Sequence, residues 1–287
     1  MYMKKKIKGA MLMLVCALAI GSCDSGVEKK IDPDVVFVTT PHKVVREMLK
    51  LAGVTKNDLV YDLGSGDGRI VIAAARDFGA RGVGIDIDPK LVAESTENAR
   101  KAMVSERVTF IEQDVFKADI SRATVIALYM LPAVNKQLLP KFFSELQPGT
   151  RVVSHRFEIG DWKPDMTLKA YDTTVYAWTV PADVHGDWRI NMRNDKSTRE
   201  YGLTLQQKYQ EVQGSLSDDK NKVSVAGIRL EGKEITISVA DTIGGQRFLM
   251  ELEGLVKGDT LEGTARVTDA QHPLPTGYSW KAVRTSK

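Results

Sequence analysis

Three alternating glycines next to an acidic residue are the feature of this 287-residue sequence that most directly suggests binding chemistry. An apolar run containing Asp62 ends at Gly64, and Gly66 and Gly68 follow at alternate positions before a helical pattern begins. Glycine lets the backbone turn tightly and approach a ligand without a Cβ in the way. The N–H groups at the start of the next helix are expected to face the loop as free donors. The pattern, with Ser65 inside it, predicts a nucleotide-type binding turn.

The charges of this loop indicate which nucleotide it binds. Dinucleotide-binding turns favour the spacing G-x-G-x-x-G, whereas here the third glycine comes one position earlier. Asp62 precedes the loop and Asp67 lies within it, and two carboxylates would repel a pyrophosphate. They would suit a ligand that carries positive charge. S-adenosylmethionine has a sulfonium group, an amino-acid tail and no phosphate, so the loop favours this cofactor.

Two further acids follow predicted strands. Asp86 ends the second strand at about the 20-residue interval at which an acid binds ribose hydroxyls in dinucleotide folds. Asp114 closes the third strand, where it is placed to accept from an adenine amino group. Ligands of open α/β sheets bind at the carboxyl ends of the strands. Three acids at three successive strand ends therefore predict one nucleoside site.

The elements around these residues alternate in type. Thr40 and Pro41 predict a helix start, with the hydroxyl as N-cap and proline at the first helical position. Apolar strands then alternate with helices as far as residue 154, and two strands separated by a short turn follow, up to residue 180. This rhythm predicts an α/β fold with a doubly wound, mostly parallel, seven-stranded sheet.

Residues 36–181 resemble the class I S-adenosylmethionine-dependent methyltransferases. Asp62-Leu63-Gly64-Ser65-Gly66-Asp67-Gly68 corresponds to the first motif of that family, Asp86 to its ribose acid and Asp114 to its adenine-side acid. The resemblance implies S-adenosylmethionine as cofactor. The cofactor-binding residues that we predict are Thr40, Asp62, Gly64, Ser65, Gly66, Gly68, Asp86, Ile87, Asp114 and Val115.

The longer pattern from Thr40-Pro41 to Arg69 is similar to a subgroup that includes protein-lysine methyltransferases. In that subgroup the region before the first strand helps to enclose the cofactor, which implies contacts from Thr39, Thr40 and Pro41. The resemblance also implies a protein lysine as acceptor, with a small molecule as the other choice. The fourth strand ends in Tyr129-Met130-Leu131-Pro132 and departs from the Asn/Asp-Pro-Pro-Tyr/Phe motif of many amino-group methyltransferases, which argues against adenine or glutamine amides.

Two residues are candidates for the transfer chemistry. Tyr129 would line an acceptor pocket, or would be an aromatic residue at the edge of the core. His155, after the fifth strand, would be a base or a structural histidine. Methyl transfer needs positioning and a neutral nucleophile more than a strong base, so neither residue receives a catalytic role from the sequence.

Residues 183–287 have a different composition. Apolar and polar residues alternate, glycines are evenly spaced, and turn signals separate runs of about 6 to 10 residues. This pattern predicts seven or eight antiparallel strands in a small barrel or sandwich, with Trp188 and Trp280 packing inside it. A ligand, a partner or simple stabilisation would each explain such a domain.

Residues 1–23 have the layout of a bacterial lipoprotein signal. A lysine-rich start precedes an apolar run over residues 10–20, and Gly21-Ser22-Cys23 follows. We expect cleavage before Cys23, acylation of its thiol, a tether over residues 24–35 and anchoring to a membrane outside the cytoplasm. The alternatives are an uncleaved anchor and a mistranslated start, and the protein would be cytoplasmic if this segment is not a working signal.

Composition narrows the classes of function. The net charge of +3 and the absence of a basic stripe with aromatic residues argue against nucleic-acid binding. Both cysteines lie in the first 23 residues, and the four histidines show no ligand spacing, so we predict no metal site. Two other hypotheses are a non-catalytic lipid-anchored binding protein and a nicotinamide oxidoreductase, the latter disfavoured by the acids around the loop.

Overall fold

The computed structural model describes residues 39–218, 222–223, 225–243, 246–269 and 276–287. The predicted signal and tether, residues 1–35, lie outside the described residues. Within the described ranges, no helix is long and apolar enough to cross a membrane.

The first part of the described chain folds into a seven-stranded sheet flanked by helices. Strands buried on both faces, such as β4, account for the continuous apolar runs of the sequence. The elements are α1 His42–Leu51, β1 Leu59–Leu63, α2 Arg69–Phe78, β2 Arg81–Asp86, α3 Pro89–Lys101, β3 Val108–Glu112, β4 Val125–Leu128, α4 Pro132–Glu145, β5 Arg151–His155, β6 Met166–Ala170 and β7 Thr173–Thr179.

The strand order is β3-β2-β1-β4-β5-β7-β6. Strands β1 to β5 pair in parallel, and β7 runs antiparallel to both β5 and β6. The predicted doubly wound, mostly parallel sheet is therefore confirmed. Because the order reverses between β1 and β4, a crevice is expected at the carboxyl ends of these two strands.

Each face of this sheet covers its own hydrophobic core. Along β4, Val125 and Ala127 join one core, whereas Ile126 and Leu128 join the other. This separation follows from the two-residue period of a strand, which sends alternate side chains to opposite faces. Helices α1 and α2 cover the first core, and α4 covers the second.

The predicted N-cap of α1 is wrong. The residue that caps the helix is Pro41, and no side chain caps its first turn. The hydroxyl of Thr40 is used elsewhere, because it forms a hydrogen bond with the ring of His155. A long-range contact has thus replaced the local one that the sequence favours.

The second part of the chain forms an antiparallel sheet that nearly closes on itself. The order is β11-β10-β9-β8-β16-β15-β14-β13-β12, and β10 lies beside β12. The sequence predicted seven or eight strands; the sheet has nine segments within the described ranges, and β11 is only two residues long. They are β8 Gly186–Arg193, β9 Thr198–Lys208, β10 Glu211–Ser217, β11 Lys222–Val223, β12 Val225–Glu231, β13 Glu234–Ile243, β14 Gln246–Lys257, β15 Thr260–Thr268 and β16 Thr276–Ser286.

Apolar side chains fill the space enclosed by this barrel-like sheet. Strand β8 alternates strictly between buried and exposed residues, as a strand with one face in a core must. Trp188 and Trp280 are both buried in that core, as predicted. The indole of Trp280 donates to the carbonyl oxygens of Glu253 and Thr264, at 3.0 and 3.1 Å, so its polar atom is satisfied inside the core.

The turn between β9 and β10 contacts helix α4 and the segment that follows β5. Tyr209 stacks on Phe143 with ring centroids 5.2 Å apart, and its hydroxyl donates to Asp161 at 2.7 Å. The indole N–H of Trp162 donates to the side chain of Gln210 at 2.8 Å. Both apolar and polar contacts therefore hold this turn against the first sheet.

Candidate active site

The glycine loop occupies the carboxyl end of β1. Gly64, Gly66 and Gly68 have φ values of 74°, 53° and 80°, in the left-handed region. Residues that carry a Cβ rarely adopt such backbone angles, so the tight turn into α2 depends on glycine. At Gly68 a Cβ would also lie 2.6 Å from the ring of Phe110, which packs under the loop.

The N–H groups of this loop are bound within the protein. Those of Gly64 and Ser65 donate to the carbonyl of Ile85 at 2.8 and 2.9 Å. That of Gly66 donates to Asp86 at 2.8 Å. The expectation of free donors concerned the first turn of α2, where the N–H of Arg69 instead donates to Asp67 at 3.2 Å; the N–H groups of Gly64, Ser65 and Gly66 are not free either. Without such donors the loop has little to offer a phosphate.

Asp62 is the acid that the loop leaves without a counter-charge. Its side chain lies near the end of β1 and the residue is 2% exposed. Burial, and then the nearby carboxylates of Asp86 and Asp67, raises the pKa of Asp62 well above its usual range. Neither a hydrogen bond nor a cation of the described residues offsets these effects. A cationic ligand would supply the missing charge.

Asp67 differs from Asp62 because it is paired. Its carboxylate lies 2.5 Å from the guanidinium of Arg69. Burial would raise the pKa of Asp67, but the hydrogen bonds and charge of Arg69 outweigh it, and the pKa lies below its usual range. Arg69 also donates to the carbonyl of Thr40 at 2.9 Å, which ties the loop to the segment before α1. The sequence argument rested on two carboxylates in and before the loop and did not foresee that Arg69 pairs with Asp67.

Asp86 closes the loop from the neighbouring strand. Its two carboxylate oxygens accept from the backbone N–H groups of Gly66 and Asp88, at 2.8 and 3.0 Å. Each carboxylate oxygen has a second lone pair, so the group can still accept protons from ligand hydroxyls. Ile87 follows with 47% of its surface exposed, and it offers an apolar contact beside the acid.

Asp114 and Val115 follow β3, the next strand of the sheet. The carboxylate of Asp114 accepts from the N–H of Phe116 at 2.9 Å, and Val115 is buried. The Phe116 side chain is 41% exposed in the same turn. Asp114 is therefore fixed by a hydrogen bond within its own turn, which also presents the exposed ring of Phe116.

These residues fit a nucleoside that carries positive charge. The acids lie at the carboxyl ends of neighbouring strands, and the hydroxyl of Ser65 is buried without a hydrogen-bond partner among the described residues. Buried polar atoms nearly always have a hydrogen-bond partner, so a bound ligand is expected to supply one for this hydroxyl. Within the described ranges, no group of three or more potential ligands is arranged to hold a metal ion.

A second set of predicted residues meets beside the loop. Tyr129, which follows β4, packs on the ring of His155 at the end of β5, with ring centroids 4.1 Å apart. The hydroxyl of Thr40 lies 3.1 Å from Nδ1 of the same histidine. Tyr129 and His155 line a cavity of about 450 Å³, together with Thr39 and Pro41 on either side of Thr40. Thr173 also lines it, and its hydroxyl is buried without a hydrogen-bond partner among the described residues. We name this space the acceptor cavity.

His155 is uncharged at neutral pH. Burial, and then the positive charge of Arg156, lowers the pKa of His155 to about 4. An imidazole in this state accepts one hydrogen bond and donates another. The acceptor cavity therefore combines a neutral imidazole with an aromatic ring. Met130, which follows Tyr129 in the chain, lies at the glycine loop, where its Cε would be 3.5 Å from a Cβ on Gly64.

Sequence reasoning missed several residues that shape this site. Arg69 has a local signal, since it lies two positions after an acid of the loop. Phe110 and Met130 have none, because each reaches the loop from another strand. Arg156 stands next to His155, but its backbone conformation becomes visible only in the structure.

Comparisons with known proteins agree with this geometry. Residues 62–166 match the family model of the ANTKMT methyltransferase domain. The protein-lysine N-methyltransferase of Saccharolobus islandicus is 46% identical over 153 residues, which cover 52% of this chain and 95% of the relative. The adenine nucleotide translocase lysine N-methyltransferase of Mus musculus is 32% identical over 152 residues, covering 53% of this chain and 64% of that protein.

A solved structure extends the comparison to the cofactor. It is described as an RNA methyltransferase from Salinibacter ruber in complex with S-adenosyl-L-homocysteine. It is 56% identical, covers 51% of this chain and 96% of its own, and superposes with a TM-score of 0.51. The bound molecule is the demethylated product of S-adenosylmethionine, the ligand that the acids of the loop favour.

Proposed function

The chain belongs to the S-adenosylmethionine-dependent methyltransferase family that includes these lysine N-methyltransferases, and we propose that its own acceptor is a lysine side chain of a protein. The methyltransferase activity and the cofactor follow from the family. The lysine acceptor is supported by the names of the relatives and by the acceptor cavity beside the loop.

The cofactor supplies a methyl carbon bonded to positively charged sulfur; transfer forms a C–N bond, breaks the C–S bond and leaves the electron pair on sulfur. In our proposal Asp62 faces the positive charge of the bound cofactor. Asp86 accepts from ribose hydroxyls, and Asp114 lies on the adenine side. These roles rest on the positions of the three acids at the carboxyl ends of β1, β2 and β3, which are neighbours in the sheet. Binding and orientation would supply most of the rate enhancement.

The observation that carries the lysine proposal is the pairing of Tyr129 with an uncharged His155 in the acceptor cavity. A lysine must lose its proton before its nitrogen can attack, and a cavity lined by Tyr129 and neutral His155 favours the uncharged amine. With a pKa of about 4, His155 would not hold the lysine proton; it would accept a hydrogen bond and orient the amine, and the proton would leave to water.

The test is incubation of the purified protein with methyl-labelled S-adenosylmethionine and cell extract, followed by acid hydrolysis of the protein fraction. We expect label in methylated lysine, lost when Asp86→Ala replaces the wild type and retained with Asp88→Ala. Asp88 caps α3 through a hydrogen bond to Lys90, so it is a matched acid outside the proposed site. Label in any other amino acid would contradict the proposal.

RNA is the second candidate acceptor. The specific observation is the Salinibacter ruber protein, which is described as an RNA methyltransferase. Arg156 and Lys169, which line the acceptor cavity, would attract phosphates. Ribonuclease and protease treatments of the same labelled extract separate the two acceptors. Label sensitive only to ribonuclease would favour RNA and overturn the lysine proposal.

We also propose that the protein is a lipoprotein, acylated at Cys23 and held on a membrane outside the cytoplasm. Support comes from the lysine-rich start, the apolar run and the small residues before Cys23. Expression with a labelled fatty acid should give a labelled membrane-bound protein, and Cys23→Ser should abolish the label. A wild-type protein that stays unlabelled in the soluble fraction would contradict this proposal.

A further inference from the structure

A second cavity adjoins the acceptor cavity. It has a volume of about 830 Å³ and lies between the first turn of α4, which supplies Lys136, and the segment that follows β5. Arg156 lines both cavities. Phe157 lines the second cavity and stacks on Tyr129 of the first, with ring centroids 6.2 Å apart. The two cavities are therefore neighbours that share one arginine.

The backbone of Arg156 is strained. Its φ is 70°, in the left-handed region that a residue with a side chain rarely adopts. The N–H of Arg156 donates to the carbonyl of Thr174 at 2.7 Å, which helps to hold this conformation. Backbone strain of this kind costs about 1–3 kcal/mol and concentrates at functional sites. The observation suggests that the direction of this side chain matters to the protein.

The charge of Arg156 is not neutralised within the protein. The guanidinium lies 5.6 Å from the ring of Phe157, and no ion pair among the described residues includes it. Lys136 is likewise in no ion pair of the described ranges. Of the two acids in the second cavity, Asp161 is bound to Lys208, which leaves Glu158. In the second cavity, two cations and one acid thus remain available to a ligand; in the acceptor cavity, Arg156 shares the lining with Lys169 and Asp172.

We propose that Arg156, together with Lys136, binds a carboxylate side chain of the acceptor polypeptide, a few residues from the methylated lysine. This inference rests on the proposed lysine acceptor. A lysine entering beside an unpaired guanidinium meets like-charge repulsion, and an acidic residue of the same polypeptide relieves it. The planar guanidinium also suits a carboxylate, since it can donate two parallel hydrogen bonds to it.

The experiment uses synthetic lysine peptides that differ only in the flanking residue, which is glutamate, glutamine or lysine. Methylation of each is measured with the full-length wild type and with Arg156→Gln, Arg156→Glu and Arg189→Gln. Arg189 is an exposed arginine of β8 and serves as the control. Calorimetry with S-adenosylhomocysteine first checks that each variant retains its cofactor site.

We expect the wild type and Arg189→Gln to prefer the glutamate peptide in kcat/KM by about fivefold, the size of a partly exposed ion pair. Arg156→Gln should lose this preference, and Arg156→Glu should prefer the lysine-flanked peptide. Equal methylation of all peptides, or a preference that survives in Arg156→Gln, would overturn this inference and leave lysine methylation standing. Label that enters RNA and no peptide would overturn both.

Discussion

The hydroxyl oxygen of Thr40 lies 3.1 Å from Nδ1 of His155, a residue 115 positions further along the chain. The carbonyl of the same threonine accepts from Arg69, whose guanidinium also holds Asp67 of the glycine loop. Thr40 therefore joins the cofactor loop to the acceptor cavity through two different atoms. Changes at its side chain and changes at the loop should have separable effects.

Thr40→Val removes the hydroxyl and keeps the carbonyl that binds Arg69. We expect the rate of methyl transfer to fall by about tenfold, the equivalent of one lost hydrogen bond that holds His155. Cofactor affinity should stay within about twofold of the wild type, and Thr40→Ser should restore the rate. Single-turnover transfer and calorimetry measure the two quantities. A tenfold loss of cofactor affinity with an unchanged transfer rate would contradict this assignment.

Asp62→Asn should weaken cofactor binding and stabilise the protein at neutral pH. Because the pKa of Asp62 is raised in the folded state, its contribution to stability is complete below the unfolded value of about pH 4 and is lost as pH rises through the folded pKa. Asparagine does not ionise, so the variant does not lose this stability as pH rises. We expect a gain of about 1 kcal/mol in the free energy of unfolding at pH 7.

Urea denaturation of the wild type and Asp62→Asn at pH 5 and pH 8 measures this difference, which should widen as pH rises. Cofactor binding should also release protons at pH values below the raised pKa of Asp62, because a cation next to this residue lowers the pKa of its carboxyl group. Calorimetry in buffers of different ionisation enthalpy detects that release. If Asp62→Asn lowers the free energy of unfolding equally at both pH values, the carboxyl group has a structural partner and the prediction is wrong.

Asp86→Asn and Asp88→Ala should separate cofactor binding from helix stability. The first removes the charge that accepts from Gly66 and, in our proposal, from the ribose; we expect affinity for S-adenosylhomocysteine to fall by at least about tenfold. The second removes the N-cap of α3, so we expect about 1 kcal/mol of lost stability with affinity retained. Calorimetry and thermal unfolding of both variants provide the comparison.

Gly84→Ala should destabilise the protein by about 2–3 kcal/mol through a collision under the loop. A Cβ at Gly84 would lie 2.5 Å from the ring of Phe110 and 2.8 Å from the hydroxyl of Ser65. Adding Phe110→Leu should recover part of the loss. Gly258→Ala is the control, because Gly258 has a φ of 61° but no atom within 4 Å of the added Cβ, so its cost should stay near 1 kcal/mol.

Tyr209→Phe tests what the barrel contributes to the methyltransferase part. The substitution keeps the stacking on Phe143 and removes the hydrogen bond to Asp161, which lines the second cavity. We expect unchanged cofactor affinity but faster hydrogen exchange over residues 158–165, measured by mass spectrometry. Tyr201→Phe, inside the barrel core, is the control and should leave that exchange unchanged.

Much of the cofactor site was predictable from local sequence. Asp62, Gly64, Asp86 and Asp114 each stand at a strand end or in a turn, and the structure has those strands in neighbouring positions of one sheet. The predicted α/β fold and the barrel-like sheet were confirmed for the same reason. The hydrophobic period of a strand or helix is a property of a short segment. Because such segments pack in only a small number of arrangements, their order along the chain predicts the fold.

The charge states and the acceptor cavity were not predictable in this way. Asp62 and Asp67 are both acids of one loop, yet only the folded chain buries the first and pairs the second with Arg69. The hydroxyl of Thr40 looked like a helix cap and instead binds His155. At Thr40 a distant contact replaces a local one, whereas Asp62 and Asp67 differ because folding buries the first acid and leaves the second beside its neighbour Arg69.

The sequence by itself determined the glycine turn, the acids that follow the strands and the two kinds of sheet, because backbone preferences and two-residue or helical periods act over a few neighbouring positions. Only the tertiary structure decided which acid stays unpaired, which ring forms a hydrogen bond with Thr40 and where Arg156 meets both cavities. Those outcomes depend on desolvation and on contacts between residues far apart in the chain, which packing alone brings together.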